Sequence, residues 1–270
     1  MNSLTIIEMK KILYNIISKS LKTLSKNDIS GKQLHGFNKK LYYERSQHLN
    51  FLLKKQIKYE EVIQNKIKKL LKKGDIVFDI GANIGQYALP FSEIVGKSGR
   101  VISFEPDYKN FSFLQFNVNI NRCSNVRCEN YGIGDDDTEL EFFRDTETGG
   151  RRGSYRKEYV GSNFKGFTDM VRLKKFDSII SEFGEPDFVK IDVEGFETEV
   201  ISKLSTDLKN CIFLIEVRGE TKGEVFNFFT DKEYHCIWID QTDKIIQKID
   251  EIPDFANLIF KKNTSSQHFV

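Results

Sequence analysis

Apolar residues near the start of the chain recur at helical spacing. Ile6, Met9, Leu13, Ile16, Ile17 and Leu24 fall at intervals built from three and four, with Lys10, Lys11, Lys19 and Lys22 between them. This pattern predicts an amphipathic helix over 4–24. A break follows around Asn27–Gly36, and helical pattern resumes from about Leu41 to Leu71, with Val62, Ile63, Ile67, Leu70 and Leu71 as its apolar stripe. Lysines close that stretch and Gly74 follows, as suits the negative end and C-terminal stop of a helix. From Ile76 the period changes. Short β-rich runs alternate with helical stretches: Ile76–Ile80, Arg100–Glu105, Val126–Asn130, Phe188–Ile191, Cys211–Val217, His235–Ile239 and Asn257–Phe260. The early runs are almost continuously apolar, as expected of strands buried on both faces. The alternation predicts a doubly wound α/β sheet, mostly parallel, with helices on both faces. Residues Asp145–Asp169 show no clear period but hold five glycines and Arg151, Arg152 and Arg156, which reads as a long functional or mobile loop.

Charge divides the chain where the pattern does. The net charge is +2, yet residues 1–73 hold 17 Lys+Arg against 5 Asp+Glu, and residues 74–270 hold 24 against 34. The expected organisation is therefore a basic helical extension, 1–73, on an acidic catalytic domain, 74–270. Hydrophobic residues make up 39% and Pro only 4 residues, so a sizeable core can form and a long disordered linker is disfavoured. No apolar run reaches the roughly 20 residues that span a bilayer, and no signal-peptide pattern opens the chain. Cys123, Cys128, Cys211 and Cys236 form no C-x-x-C pair and no zinc spacing with histidine, so they read as reduced thiols of a cytoplasmic protein.

The segment with the clearest chemistry is Ile76-Val-Phe-Asp79-Ile80-Gly81-Ala-Asn83-Ile-Gly85. An apolar strand ends in Asp79, turns through glycines and enters a helix. Gly81 and Gly85 let backbone approach a ligand closely, at the strand end where doubly wound sheets bind one. The G-x-x-x-G spacing departs from the G-x-G-x-x-G that cradles pyrophosphate. S-adenosylmethionine carries a sulfonium, an ammonium and a carboxylate but no phosphate, and an acidic residue beside the loop suits it better. Glu105, 20 residues past Gly85, ends the second strand and can accept both hydroxyls of a ribose. The third strand leads to Asp135, which reads equally as a partner for an adenine amine or as a solvated turn.

These segments resemble the FkbM family of S-adenosylmethionine-dependent methyltransferases. The resemblance rests on Asp79–Gly85, Phe104–Asp107, the Gly153-Ser154 step, Arg172–Asp177 and the block Lys190-Ile-Asp192-Val-Glu194-Gly195-Phe-Glu197. It spans about Gly74–Val217; Arg151-Arg152 departs from the pattern. The resemblance implies a Rossmann-like class I methyltransferase fold with a seven-stranded sheet whose last strand is antiparallel. It further implies O-methylation of a small-molecule, sugar, glycan or secondary-metabolite acceptor.

In such a sheet the fourth strand adjoins the first, so Asp192 and Glu194 fall beside the reacting methyl. Asp192 is the candidate base or orienting group and Glu194 the second candidate; together they could instead hold Mg²⁺. The alternative is that Asp192 caps the following helix and the glutamates favour its N-terminus. Glu216 and Arg218 are candidates for the acceptor pocket. The basic extension reads as a cap or homodimer contact, or as a peripheral contact with the inner face of the membrane; a nucleic-acid role ranks last. Two rival functions remain open: an RNA or protein methyltransferase guided by the extension, and a non-catalytic donor-binding assembly module.

Overall fold

The computed structural model describes residues 28–48, 51, 55–144, 153–157, 166–240 and 243–262. The helix expected over 4–24, and Arg151 and Arg152, lie outside those residues. The elements are β1 (Ile29–Gln33), β2 (Lys40–Glu44), α1 (Glu61–Leu70), β3 (Ile76–Ile80), α2 (Ala88–Val95), β4 (Arg100–Phe104), α3 (Tyr108–Ile120), β5 (Val126–Glu129), β6 (Gly132–Gly134), β7 (Thr138–Arg144), β8 (Phe167–Lys175), α4 (Phe176–Phe183), β9 (Phe188–Ile191), α5 (Glu197–Ser202), β10 (Ile212–Arg218), α6 (Lys222–Thr230), β11 (His235–Trp238), β12 (Lys244–Ile246) and β13 (Phe255–Lys261).

Each of the seven apolar runs forms a strand of the central sheet. Its order is β12-β11-β13-β10-β9-β3-β4-β5. β3 pairs in parallel with β4 and β9, and β9 with β10. The last strand, β13, lies between β10 and β11 and is antiparallel to both. This is the Rossmann-like methyltransferase topology. β12 makes an eighth, edge strand; at three residues it is too short for a period to show. The strand order reverses between β3's two neighbours. There β3, β4 and β9 open a crevice at their carboxyl ends, where such sheets take ligands.

The stretch from Leu41 corrects the helical expectation. Residues 40–44 form β2, paired antiparallel with β1. Burial alternates along β2, with Leu41 and Tyr43 inside, a period of two. The expected helical stripe is found at α1, where Ile63 and Ile67 are buried and Val62 is 48% exposed. Both pieces pack on the sheet's own layers. Leu41 and Tyr43 join Ala82, Ile84 and Leu114 in one apolar cluster. Ile63, Ile67 and Leu71 join Val77, Phe188 and Leu214 in another. Burying each such side chain stabilises by about 1.5–3 kcal/mol before entropy is counted.

A second sheet, β6-β8-β7, stands beside the crevice. It takes Phe167–Asp169 out of the expected loop and into β8. β8 is mostly half-exposed, so its apolar pattern is faint. Among the described residues no helix is long and apolar enough to cross a membrane. All four cysteines are free thiols.

Candidate active site

The turn after β3 is built by steric necessity. Gly81 has φ +81°, and a Cβ there would lie 1.9 Å from the Asp192 carbonyl oxygen. Gly81 N and Ala82 N both donate to Phe104 O at 3.0 Å, which ties the turn to the end of β4. Asn83 is left-handed at φ +51°, and its side-chain oxygen accepts from Ile84 N at 2.8 Å, a local bond that offsets some of that strain. The loop and the ends of β4 and β9 wall a cavity of about 430 Å³.

Glu105 follows β4 and faces this cavity. Its Oε2 accepts from Asn83 N at 2.7 Å and its Oε1 from Asp107 N at 2.9 Å. Burial, then the nearby Asp107 charge, pushes its carboxyl up to about 8. The strand end is braced from outside: Asp107 caps α3 by accepting from Lys109 N and Asn110 N, and Arg144 Nε bonds Asp107 at 2.5 Å.

Asp79 sits behind the loop and is fully buried. Neither of its carboxylate oxygens has a hydrogen-bond partner among the described residues. Burial raises it to about 6, against the pull of Lys190, its neighbour across the β3–β9 register. A buried carboxylate without a hydrogen bond is costly unless a cation offsets it.

Glu60, Asp192, Glu194, Glu216 and Arg218 line the same cavity. Lys190 Nζ bonds Asp192 Oδ2 at 2.9 Å. Burial works against the Lys190 charge, yet Asp192 and Asp79 hold its ammonium above the ordinary lysine range. Arg218 pairs with Glu194 and, at 3.2 Å, with Glu216. Burial and the Asp192 charge push Glu194 up to about 7. Burial, followed by Asp192, Glu194 and Glu60, takes Glu216 to about 10. Asp192, Glu194 and Glu216 place carboxylate oxygens within 4.8 Å of one another, a spacing that suits a divalent cation. Lys190 and Arg218 already meet those charges.

The structure thus gathers Gly81, Asn83, Glu105, Asp192 and Glu194 on one cavity, with Glu216 and Arg218 beside them. Asp79 is not on its wall, and neither is Gly85. A Cβ there would meet Leu114 at 3.2 Å, so this glycine serves the packing of α3. Asp135 is not on the wall either; it is partly exposed and 3.8 Å from Lys203 Nζ, the geometry of a solvated turn. Asp192 does not cap α5, whose N-cap is Phe196 with no side-chain cap bond.

Tyr59, Glu60, Phe142, Tyr155 and Phe255 also line the cavity and were not among the sequence candidates. Tyr155 packs between Phe142 and Phe196, with ring centroids at 5.0 and 4.5 Å. Its position follows from Ser154, which bridges to Phe143 and donates its hydroxyl to Glu194 O at 2.9 Å. The Gly153-Ser154 step was the available signal for Tyr155. No comparable signal marks Glu60, which reads as one more acid opening a helix.

Comparison with known proteins bears on the whole arrangement. An archaeal protein from Haloferax volcanii, described as hexuronic acid methyltransferase AglP, is 26% identical over 157 residues, covering 56% of this chain and 60% of that protein. The chain thus spans about three fifths of its curated relative's length. Among solved structures, an FkbM methyltransferase from Methylobacillus flagellatus aligns with TM-score 0.47 at 18% identity, over 70% of this chain and 44% of that one. A SAM-dependent O-methyltransferase from Thermotoga maritima aligns with TM-score 0.45 at 13% identity, over 89% and 80%. Residues 79–251, from the buried acid of the glycine loop to the turn before β13, match the methyltransferase FkbM domain, and the chain belongs to that methyltransferase family.

Proposed function

We propose that the protein transfers a methyl group from S-adenosylmethionine to a hydroxyl oxygen of a sugar, glycan or secondary metabolite. The observation that carries this reading is the junction at the ends of β3, β4 and β9. There a glycine-turned loop with buried acids meets a separate carboxylate cluster across one cavity. The residues suit the donor. Gly81 leaves the backbone bare on the cavity wall, and Glu105 offers a carboxylate there, at the strand end where ribose hydroxyls are met. Gly132, Ile133 and Tyr155 form the wall suited to an adenine. S-adenosylmethionine supplies an electrophilic methyl group on a sulfonium cation.

The acceptor hydroxyl must lose its proton as its oxygen is alkylated. Asp192 and Glu194 take that proton between them, because adjacent carboxylates in a buried site share one more readily than either holds it alone. Lys190 fixes Asp192 and Arg218 fixes Glu194, so the pair is oriented before the acceptor arrives. The archaeal relative's description, a hexuronic acid methyltransferase, supports a sugar-like acceptor.

The test is transfer of isotope-labelled methyl to a panel of sugars, lipid-linked glycans and hydroxylated metabolites. A D192N/E194Q double variant is expected to lose about 10²–10⁴-fold in rate, the usual share of a general base. The wild-type rate should fall as pH drops through about 7, where Glu194 becomes protonated. Wild-type turnover by the double variant would remove these residues from the chemistry.

A further inference from the structure

The turn entering α1 lies ahead of the segment that matches the family, yet it puts Tyr59 and Glu60 on the cavity wall. Three features set Glu60 apart. Its backbone is left-handed, φ 42° and ψ 51°, a conformation that a glutamate adopts only against a steric cost. It occupies the N-cap position of α1, but its side chain makes no cap bond to that helix. Its carboxylate instead turns into the cavity and is bonded by the Tyr87 and Tyr59 hydroxyls. The Tyr59 and Tyr87 rings pack edge to face at 5.8 Å, which holds that bracket in place.

We propose that Glu60 determines acceptor specificity by taking hydrogen bonds from the hydroxyls of an uncharged sugar ring. This rests on the hydroxyl-methylating reaction proposed above. A carboxylate has about four acceptor sites, and two tyrosines use about half of them. The ionisable groups that face Glu60 come from β9 and its end, Lys190 and Asp192, and from β10, Glu216. Lys190 is engaged by Asp192 and Arg218 by Glu194 and Glu216. A ligand carboxylate would therefore meet the Asp192 and Glu60 carboxylates, with those two cations already paired. Hydroxyl donors meet acceptors. The rings of Tyr59 and Phe255 on the same wall add the apolar surface usual in small-molecule sites. Burial raises the Glu60 carboxyl, with the Asp192 charge second, a cost that hydrogen bonds from a ligand would offset.

The experiment uses the full chain saturated with S-adenosylhomocysteine and titrated by ligand-observed NMR. The probes are a panel of methyl hexopyranosides and the matching hexopyranosiduronates. In wild type the neutral sugars are expected to bind more tightly. E60G should weaken their binding about 10- to 100-fold, the loss expected when a charged hydrogen-bond acceptor is removed, and should narrow the gap to the uronates. E60Q should fall between. Glycine accepts the left-handed backbone freely, which offsets the loss of the acceptor for the buried Tyr87 hydroxyl, so the E60G melting temperature should stay close to that of wild type. Uronates binding as tightly as neutral sugars would overturn the proposal, as would E60G or E60Q binding neutral sugars like wild type. So would a chain that holds S-adenosylhomocysteine and binds no pyranoside. A lower E60G melting temperature with unchanged sugar affinity in E60Q would make Glu60 a structural residue. Failure to bind S-adenosylhomocysteine at all would instead count against the donor reading.

Discussion

Gly81 shows how one residue sets the site. The 1.9 Å approach of its absent Cβ to the Asp192 carbonyl means that the glycine loop and the end of β9 touch backbone to backbone there. G81A should therefore destabilise the fold by at least about 2 kcal/mol, from left-handed strain and overpacking together, and should weaken donor binding. Unchanged denaturant midpoint and donor affinity would contradict this geometry. The buried acids make a second prediction. Burial pushes Asp79, Glu194, Glu105 and Glu216 up to about 6, 7, 8 and 10, above the ordinary carboxylate range of 3.8 to 4.5. Between those limits the folded chain binds more protons than the unfolded one, so stability falls as pH rises. The acids held low on the surface, such as Asp136 and Asp207, lose their contribution only below that window. Melts of the donor-free protein should drop from pH 5 to 9; a melting temperature that climbs across that range would refute the burial of these groups. Gly81, Glu105 and Asp192 were legible because chain order, strand ends and residue type coincide. Glu60 was not, because its distinction is a backbone angle and a long-range tyrosine contact, and neither has a local period.

At the scale of elements, the buried strands were legible and the half-exposed ones were not. β3, β9 and β10 are wrapped on both faces and so are written mostly in apolar residues, interrupted by Asp79, Lys190, and Glu216 with the terminal Arg218. β7 and β8 stand at the rim with mixed exposure, and β6 and β12 are three residues each. β1 falls in the expected break, and β2 falls where a helix is expected because Leu41, Tyr42 and Tyr43 lack the spacing to decide between periods. Its place is fixed by a contact 75 residues away. Asn117 of α3 accepts from Tyr42 N at 2.7 Å and donates to Tyr42 O at 2.9 Å and Ile84 O at 2.8 Å. N117A strands three buried backbone groups together. It should cost about 2–4 kcal/mol, on the order of 1–3 per group with partial relaxation. Native-state hydrogen exchange should then show β1 and β2 opening ahead of the central sheet. Uniform exchange across both would mean that the hairpin is held by something other than Asn117.

For the whole molecule, the charge division between residues 1–73 and the remainder meets a shared interior. Lys66 of α1 bonds Asp243 at 2.6 Å, and Lys109 of α3 bonds Glu44 of β2 at 2.6 Å, both across that division. These exposed pairs contribute little each; the apolar clusters that span the same division contribute more. The result is that Tyr59 and Glu60, ahead of the family match, share the wall of a cavity that the family motif otherwise builds. The central claim, that this cavity takes S-adenosylmethionine, is tested most directly by calorimetric titration of the full chain. NAD and an E105A variant serve as controls. Selective binding of S-adenosylmethionine is expected, weakened by about tenfold or more in E105A as a charged hydrogen-bond acceptor is lost. A folded chain that does not bind it, or an E105A variant that binds it like wild type, would contradict the account.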